Sequence, residues 1–157
     1  MARTLRLAAA VALLAALAVG TGSVAADSGH KILDTRLVGV PTPPVTVVGV
    51  NGAGAPWTTD DSRAKLFADG RLLLDVEGLV FAAGPNAGRN TQPTGRVTVV
   101  CNGNANPATD RVNTDPIPFS VPDGDAHFNA KLNLPSPCFA PVVFFTSVGG
   151  NWFAVSG

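Results

Sequence analysis

SRAKLFADGRLLLDVE (Ser62–Glu77) is the stretch on which the reading of this chain turns. Apolar and charged residues alternate on both sides of Asp69-Gly70, the period-two pattern of half-buried strands around a turn dipeptide. Two registers compete. A two-residue turn would put Arg63 and Lys65 on one face with Leu72 and Leu74, which is inconsistent. A three-residue loop, Ala68-Asp69-Gly70 with Gly70 at positive φ, opposes Leu66 to Leu72 and Ala64 to Leu74, with Val76 beyond them on the same buried face. It sends Arg63, Lys65, Arg71, Asp75 and Glu77 to solvent and opposes Arg63 to Asp75. Slipping by one residue would reverse every side chain, so the second register is predicted. Leu73 is then left on the outer face.

Similar signals recur along the chain, and helical periodicity is nearly absent after residue 26. Ile117 to Leu134 reads as a second hairpin turning at Asp123-Gly124. In its return strand Ala126, Phe128, Ala130, Leu132 and Leu134 point one way, and His127, Asn129, Lys131 and Asn133 the other. A third hairpin spans Pro141 to Ser156 and turns at Gly149-Gly150-Asn151. Further strands are expected at Leu33–Val40, Val45–Val50, Leu79–Ala82 (continuing the first hairpin past a bulge at Gly78) and Arg96–Cys101. Eight to nine short strands with Gly/Pro turns predict an all-β protein, an antiparallel β-sandwich of immunoglobulin-like shape. The immunoglobulin signature itself is missing, because no tryptophan lies between the two cysteines. Ala83–Pro93 and Asn102–Pro116 read as long irregular loops, the kind of segment that often carries function.

Met1–Ala26 reads as a secretory signal peptide. Arg3 and Arg6 give a basic start, and Leu7–Val19 is an apolar run of 13 residues, shorter than the roughly 20 that a membrane span needs. Val24-Ala25-Ala26 then supplies small residues for cleavage. The remaining segment, 27–157, has 131 residues, enough for one domain with its own core. It carries 9 basic against 11 acidic residues once Arg3 and Arg6 are removed. That near-neutral balance excludes charge-driven binding to nucleic acid or to an anionic membrane. Cys101 and Cys138 form an even pair in an exported chain and are expected to make one structural disulfide. Closing a loop of that length stabilises by roughly 4 kcal/mol on chain-entropy grounds. The predicted localisation is secreted and extracellular, with no membrane attachment after cleavage.

In DVEGLVFAAGPNAGRN (Asp75–Asn90), followed by GRVTVVCNG (Gly95–Gly103), the sequence resembles small secreted bacterial proteins. The resemblance implies a secreted all-β domain and brings no activity, ligand or site with it.

Candidate chemistry is sparse. Asp123, Asp125 and His127 place two carboxylates and an imidazole within five residues, a conceivable metal set, but Asp-Gly-Asp is also ordinary turn chemistry. Asn102, Asn104 and Asn106, with Asp110 and Asp115 after them, faintly resemble a calcium loop. They lack its early carboxylates and terminal glutamate, and Glu77 is the only glutamate in the chain. No Gly-x-Ser-x-Gly elbow or paired-carboxylate motif is present, so no catalytic residue and no cofactor is assigned. Trp57 follows a flexible Asn51–Pro56 stretch and is a possible ligand contact, for example with a glycan, or else a plug in the core. Phe139 is a second possible contact. It lies in Pro135-Ser-Pro-Cys-Phe-Ala-Pro141, a stiff segment suited to protein binding of the kind secreted inhibitors use. The expectation is a secreted, non-enzymatic binding or surface-interaction module with an unknown protein or glycan partner. The alternatives are a protease-inhibitor-like protein using Pro135–Pro141, or a carbohydrate-binding module using Trp57.

Overall fold

The alternation in Ser62–Glu77 folds as its pattern requires. In the computed structural model, which describes residues 29–157, Arg63–Phe67 (β5) and Arg71–Val76 (β6) pair as Arg63↔Asp75, Ala64↔Leu74, Lys65↔Leu73 and Leu66↔Leu72. Ala64, Leu66, Leu72, Leu74 and Val76 are all buried, and Leu73 is exposed. Gly70 has φ +87°, and a Cβ there would sit 2.1 Å from the carbonyl oxygen of Leu132. Only glycine meets both demands. The expected signal segment, Met1–Ala26, lies outside the described residues.

Around this hairpin the chain lays down Lys31–Gly39 (β1), Thr46–Val47 (β2), Val50–Asn51 (β3), Trp57–Thr58 (β4), Val80–Phe81 (β7) and Thr94–Val100 (β8). After these come Arg111–Asn113 (β9), Ile117–Pro118 (β10), Ala126–Lys131 (β11), Val142–Thr146 (β12) and Trp152–Ser156 (β13). Nine strands form one antiparallel sheet in the order β10-β8-β12-β13-β1-β5-β6-β11, with β9 also on β8. β1 is shared between the halves. Its first residues pair with β5 and Leu37–Gly39 pair with β13. The β1-β5-β6-β11 half curls into a half-barrel, and the whole is compatible with the expected sandwich. The third hairpin forms as expected, β12 against β13 with Gly150 at positive φ.

Three expectations need correction. Ile117–Leu134 is not one ladder: β10 pairs with β8, whereas β11 pairs with β6 over six residues. Pro116, Pro118 and Pro122 remove backbone donors from the outgoing segment, so it cannot continue a hairpin. The inward–outward alternation of the return strand nevertheless holds. Val45–Val50 is not one strand, because Val48 and Gly49 take positive φ and fold it into the small β2-β3 pair. Leu79–Ala82 does not extend the first hairpin. Gly78 turns the chain at φ +58°, its N–H is taken by Asp125 Oδ1 at 2.9 Å, and β7 pairs with β4 instead.

The core joins both halves. Phe119, Phe145 and Phe153 gather with Trp57; the centroids of Trp57 and Phe153 lie 4.4 Å apart, and Phe119 meets Phe145 edge-on at 4.9 Å. Among the described residues no helix is long and apolar enough to cross a membrane. Leu66→Ala is expected to lower the unfolding free energy by about 2–5 kcal/mol. Leu73→Lys, on the outer face, should change it by less than about 0.5 kcal/mol. Urea denaturation of the two variants checks the register, and equal losses would refute it.

Candidate functional site

Cys101, the residue just after β8, is fully buried and bonded to Cys138. The disulfide joins a central strand to the proline-rich Pro135–Pro141 segment, which belongs to no strand. Asn102 completes the junction. Its Nδ2 donates to Pro137 O at 3.1 Å and to Asp110 Oδ1 at 2.9 Å, while its Oδ1 accepts the Phe139 N–H at 2.9 Å. Its own N–H donates to Phe139 O at 2.8 Å. Both backbone groups of Phe139 are therefore held by one residue. Phe139 itself is 67% exposed.

The loop behind Asn102 is ordered by a carboxylate. Asn106 caps the short helix Pro107–Asp110 (α1) by accepting the Ala108 N–H. Asp110, buried, accepts the Asn106 N–H through Oδ2 at 2.8 Å. That bond, followed by the Asn102 amide, holds the Asp110 carboxyl below the usual aspartate range against an opposing effect of burial. Asn102–Pro116 is thus not irregular throughout, as the sequence suggested. It contains a 3-10 turn at Asn102–Asn104, then α1 and β9. Asn102 and Asp110, read from sequence as faint calcium donors, spend their oxygens on the protein's own N–H groups. The β2-β3 hairpin joins the same end, where Arg111 Nη2 donates to Gly49 O at 3.2 Å.

Trp57 does not belong to this end. It is 4% exposed and sits at 4.2 Å from Phe81 on one side and 4.4 Å from Phe153. It is a core plug and offers no open ring face to a sugar. Asp123, Asp125 and His127 are also not gathered as a metal cage. Asp125 is occupied by the Gly78 N–H, and its own N–H donates to Ser120 Oγ. His127 faces its cross-strand partner, with Nδ1 2.5 Å from Asp75 Oδ1. Asp75 therefore meets His127 rather than Arg63, although Arg63 stands opposite it as expected. Among the described residues no group of three or more His, Cys, Asp or Glu is arranged to hold a metal ion. The three residues instead border an open, acidic cleft of about 590 Å³ that also takes in Asp60, Glu77 and Arg89.

The second long loop, Ala83–Pro93, is pinned by Asn90. This buried amide donates to Gln92 O and Ser120 O at 2.7 and 2.6 Å. The surface feature that stands out is thus the Phe139 side chain on its braced segment.

The folded-state pKa of Asp110 is lowered, so its contribution to stability is present above the unfolded value near 3.8 and is lost as pH falls through the folded value. Asp110→Asn is expected to give a shallower loss of stability on acidification below about pH 4, read by urea denaturation at a series of pH values. An unchanged acid slope would contradict the assigned role. The chain matches no protein-family model, no curated protein and no solved structure.

Proposed function

We propose that this protein is exported, its Met1–Ala26 segment being removed, and acts outside the cell as a non-enzymatic binding module that engages a protein partner through Pro135–Pro141. The observation that carries this reading is Phe139, the most exposed of the large hydrophobic residues among those described, fixed through both of its backbone groups. An exposed aromatic ring is unfavourable in water, and it is the side-chain type that dominates interface energetics once a partner covers it. Bracing by the disulfide and by Asn102 reduces the ordering entropy that binding would otherwise incur. The Cys101–Cys138 bond suits an oxidising, extracellular compartment.

A second reading, inhibition of a secreted protease, draws on the same observation. A pre-organised segment with one projecting apolar side chain matches a protease with an apolar specificity pocket. Both readings place the contact at Phe139. The experiment uses the purified secreted protein against a panel of extracellular proteases with aromatic, basic and small-residue preferences, alongside immobilised protein exposed to extracellular proteins from its own culture. Phe139→Asp is expected to weaken the interaction by at least about 30-fold, a hot-spot effect of roughly 2 kcal/mol. Val38→Asp, at another exposed apolar position, should leave it unchanged. Inhibition confined to the proteases that prefer aromatic residues would select the inhibitor reading. Binding that survives Phe139→Asp would overturn both.

A further inference from the structure

The outer face of β9, β8 and β12 carries a polar row. Register places Asn113 beside Thr98 and Arg111 beside Val100 on β8, and Thr146 beside Arg96 on β12. Strand alternation then puts Arg96, Thr98, Arg111, Asn113 and Thr146 on one side. Arg96 and the β8 partner of Arg111 are four residues apart, about 13 Å at ~3.3 Å per residue. Both arginines line one cavity of about 200 Å³, with Thr98 and Asn113 between them in the register and Val50, Val148 and the Gly149-Gly150 turn also in its lining.

Two features make this cavity unusual. No Asp or Glu is among its lining residues, and among the described residues neither arginine forms an ion pair. In addition, the Nε–H groups of Arg96 and Arg111 are both buried without a hydrogen-bond partner. Buried donors on charged groups are rarely left unpaired, and an orphaned pair points to a missing ion or water. A water would satisfy the donors but leave two like charges facing one small space. An acceptor carrying two negative charges, met by the guanidinium groups that line the cavity, would offset both arginines. A single carboxylate would occupy one guanidinium fork and leave the other arginine uncompensated.

We infer that the Arg96–Arg111 cavity is a binding site for a dianionic tetrahedral oxyanion, a sulfate or phosphate group, with Thr98 and Asn113 also lining it. The Thr98 hydroxyl already donates to Asn113 Oδ1 at 2.7 Å, which leaves the Asn113 Nδ2 donors available. The site is independent of Phe139.

The test titrates sodium sulfate, sodium phosphate and sodium acetate, each at about 0.1–10 mM, against sodium chloride at matched ionic strength. Low concentration keeps general salt effects small. Thermal melting is expected to rise saturably with sulfate or phosphate and to stay at the chloride value with acetate; which of the two dianions saturates first identifies the group. Arg96→Gln and Arg111→Gln should each weaken that saturation by about ten-fold or more, the loss of one charge-assisted pair. Should either variant fail to fold, nitrogen-15 NMR of the wild-type arginine Nε–H groups decides. The Arg96 and Arg111 signals are expected to shift with sulfate or phosphate while those of Arg36 and Arg63 stay in place. Unmoved signals, a response to acetate equal to that of sulfate, or saturation unchanged in the variants would each overturn the site.

Discussion

The β8-β12-β13 half of the sheet is buried on both faces, and the rest of the structure is arranged around that constraint. Val97, Val99, Val143 and Phe145 face one way, and Thr98, Val100, Phe144 and Thr146 the other, yet all are buried. A strand enclosed on both sides needs a second layer. On the inner side that layer is the half-barrel of β1, β5, β6 and β11, whose alternating residues supply one apolar face. On the outer side the cover is short and irregular. The β2-β3 hairpin brings Val50 to the polar row, Gly52 bridges to Trp152, and Arg111 of β9, the strand beside β8, reaches Gly49 of the hairpin. Burying a leucine-sized side chain stabilises by about 1.5–3 kcal/mol, so even these small pieces are firmly held.

That outer cover explains the polar chemistry beneath it. Thr98 and Thr146 are buried hydroxyls, and a buried hydroxyl without a partner destabilises by about 1–3 kcal/mol. Thr98 is satisfied by Asn113 on the neighbouring strand, and Thr146 reaches Arg96 O at 3.4 Å. The arginines are the members of the row whose buried donors are left over. The same loop that brings in Arg111 begins at the disulfide, so Cys101–Cys138, Asn102 and Asp110 form one continuous brace. It holds Phe139 at one end and leads into β9 at the other.

The parts legible in the sequence were those where one face is wet. Ser62–Glu77 alternates cleanly because its outer residues meet water, so its register and its one exposed leucine could be read directly. The disulfide followed from having only two cysteines. β8 was only half legible. Val97, Val99 and Cys101 declared a face, but Thr98 and Val100 carry no mark of being covered, because that cover comes from residues around position 50. Trp57 had two readings that only packing separates, since a tryptophan after a glycine-rich stretch suits a binding loop and a core plug equally. Asn102 looked like a generic loop donor. Nothing local indicates that its amide would span from Asp110 to Pro137 and Phe139, contacts that lie 8 to 37 residues away. Nothing in the sequence links Arg96 to Arg111, because they are 15 positions apart and come to one cavity only through strand pairing.

Net charge also leaves the local distribution of charge unread. A near-neutral balance implies a weak long-range field, but it says nothing of local separation of charge. Asp60, Glu77, Asp123 and Asp125 border one cleft with Arg89 as the basic residue among them, while Arg96 and Arg111 line another cavity with no acidic residue. At physiological salt, fields between exposed charges decay over about 8 Å, so the charge around each of these cavities is felt only close to it. Opposite local charges on a chain with little net charge therefore favour recognition at contact, by shape and hydrogen bonding, over recognition at a distance. Recognition at contact depends on rigid surfaces, because it weakens when groups must first be ordered. The disulfide, the Asn102 bonds and the buried Asn90 and Asp110 supply that rigidity in segments that belong to no sheet.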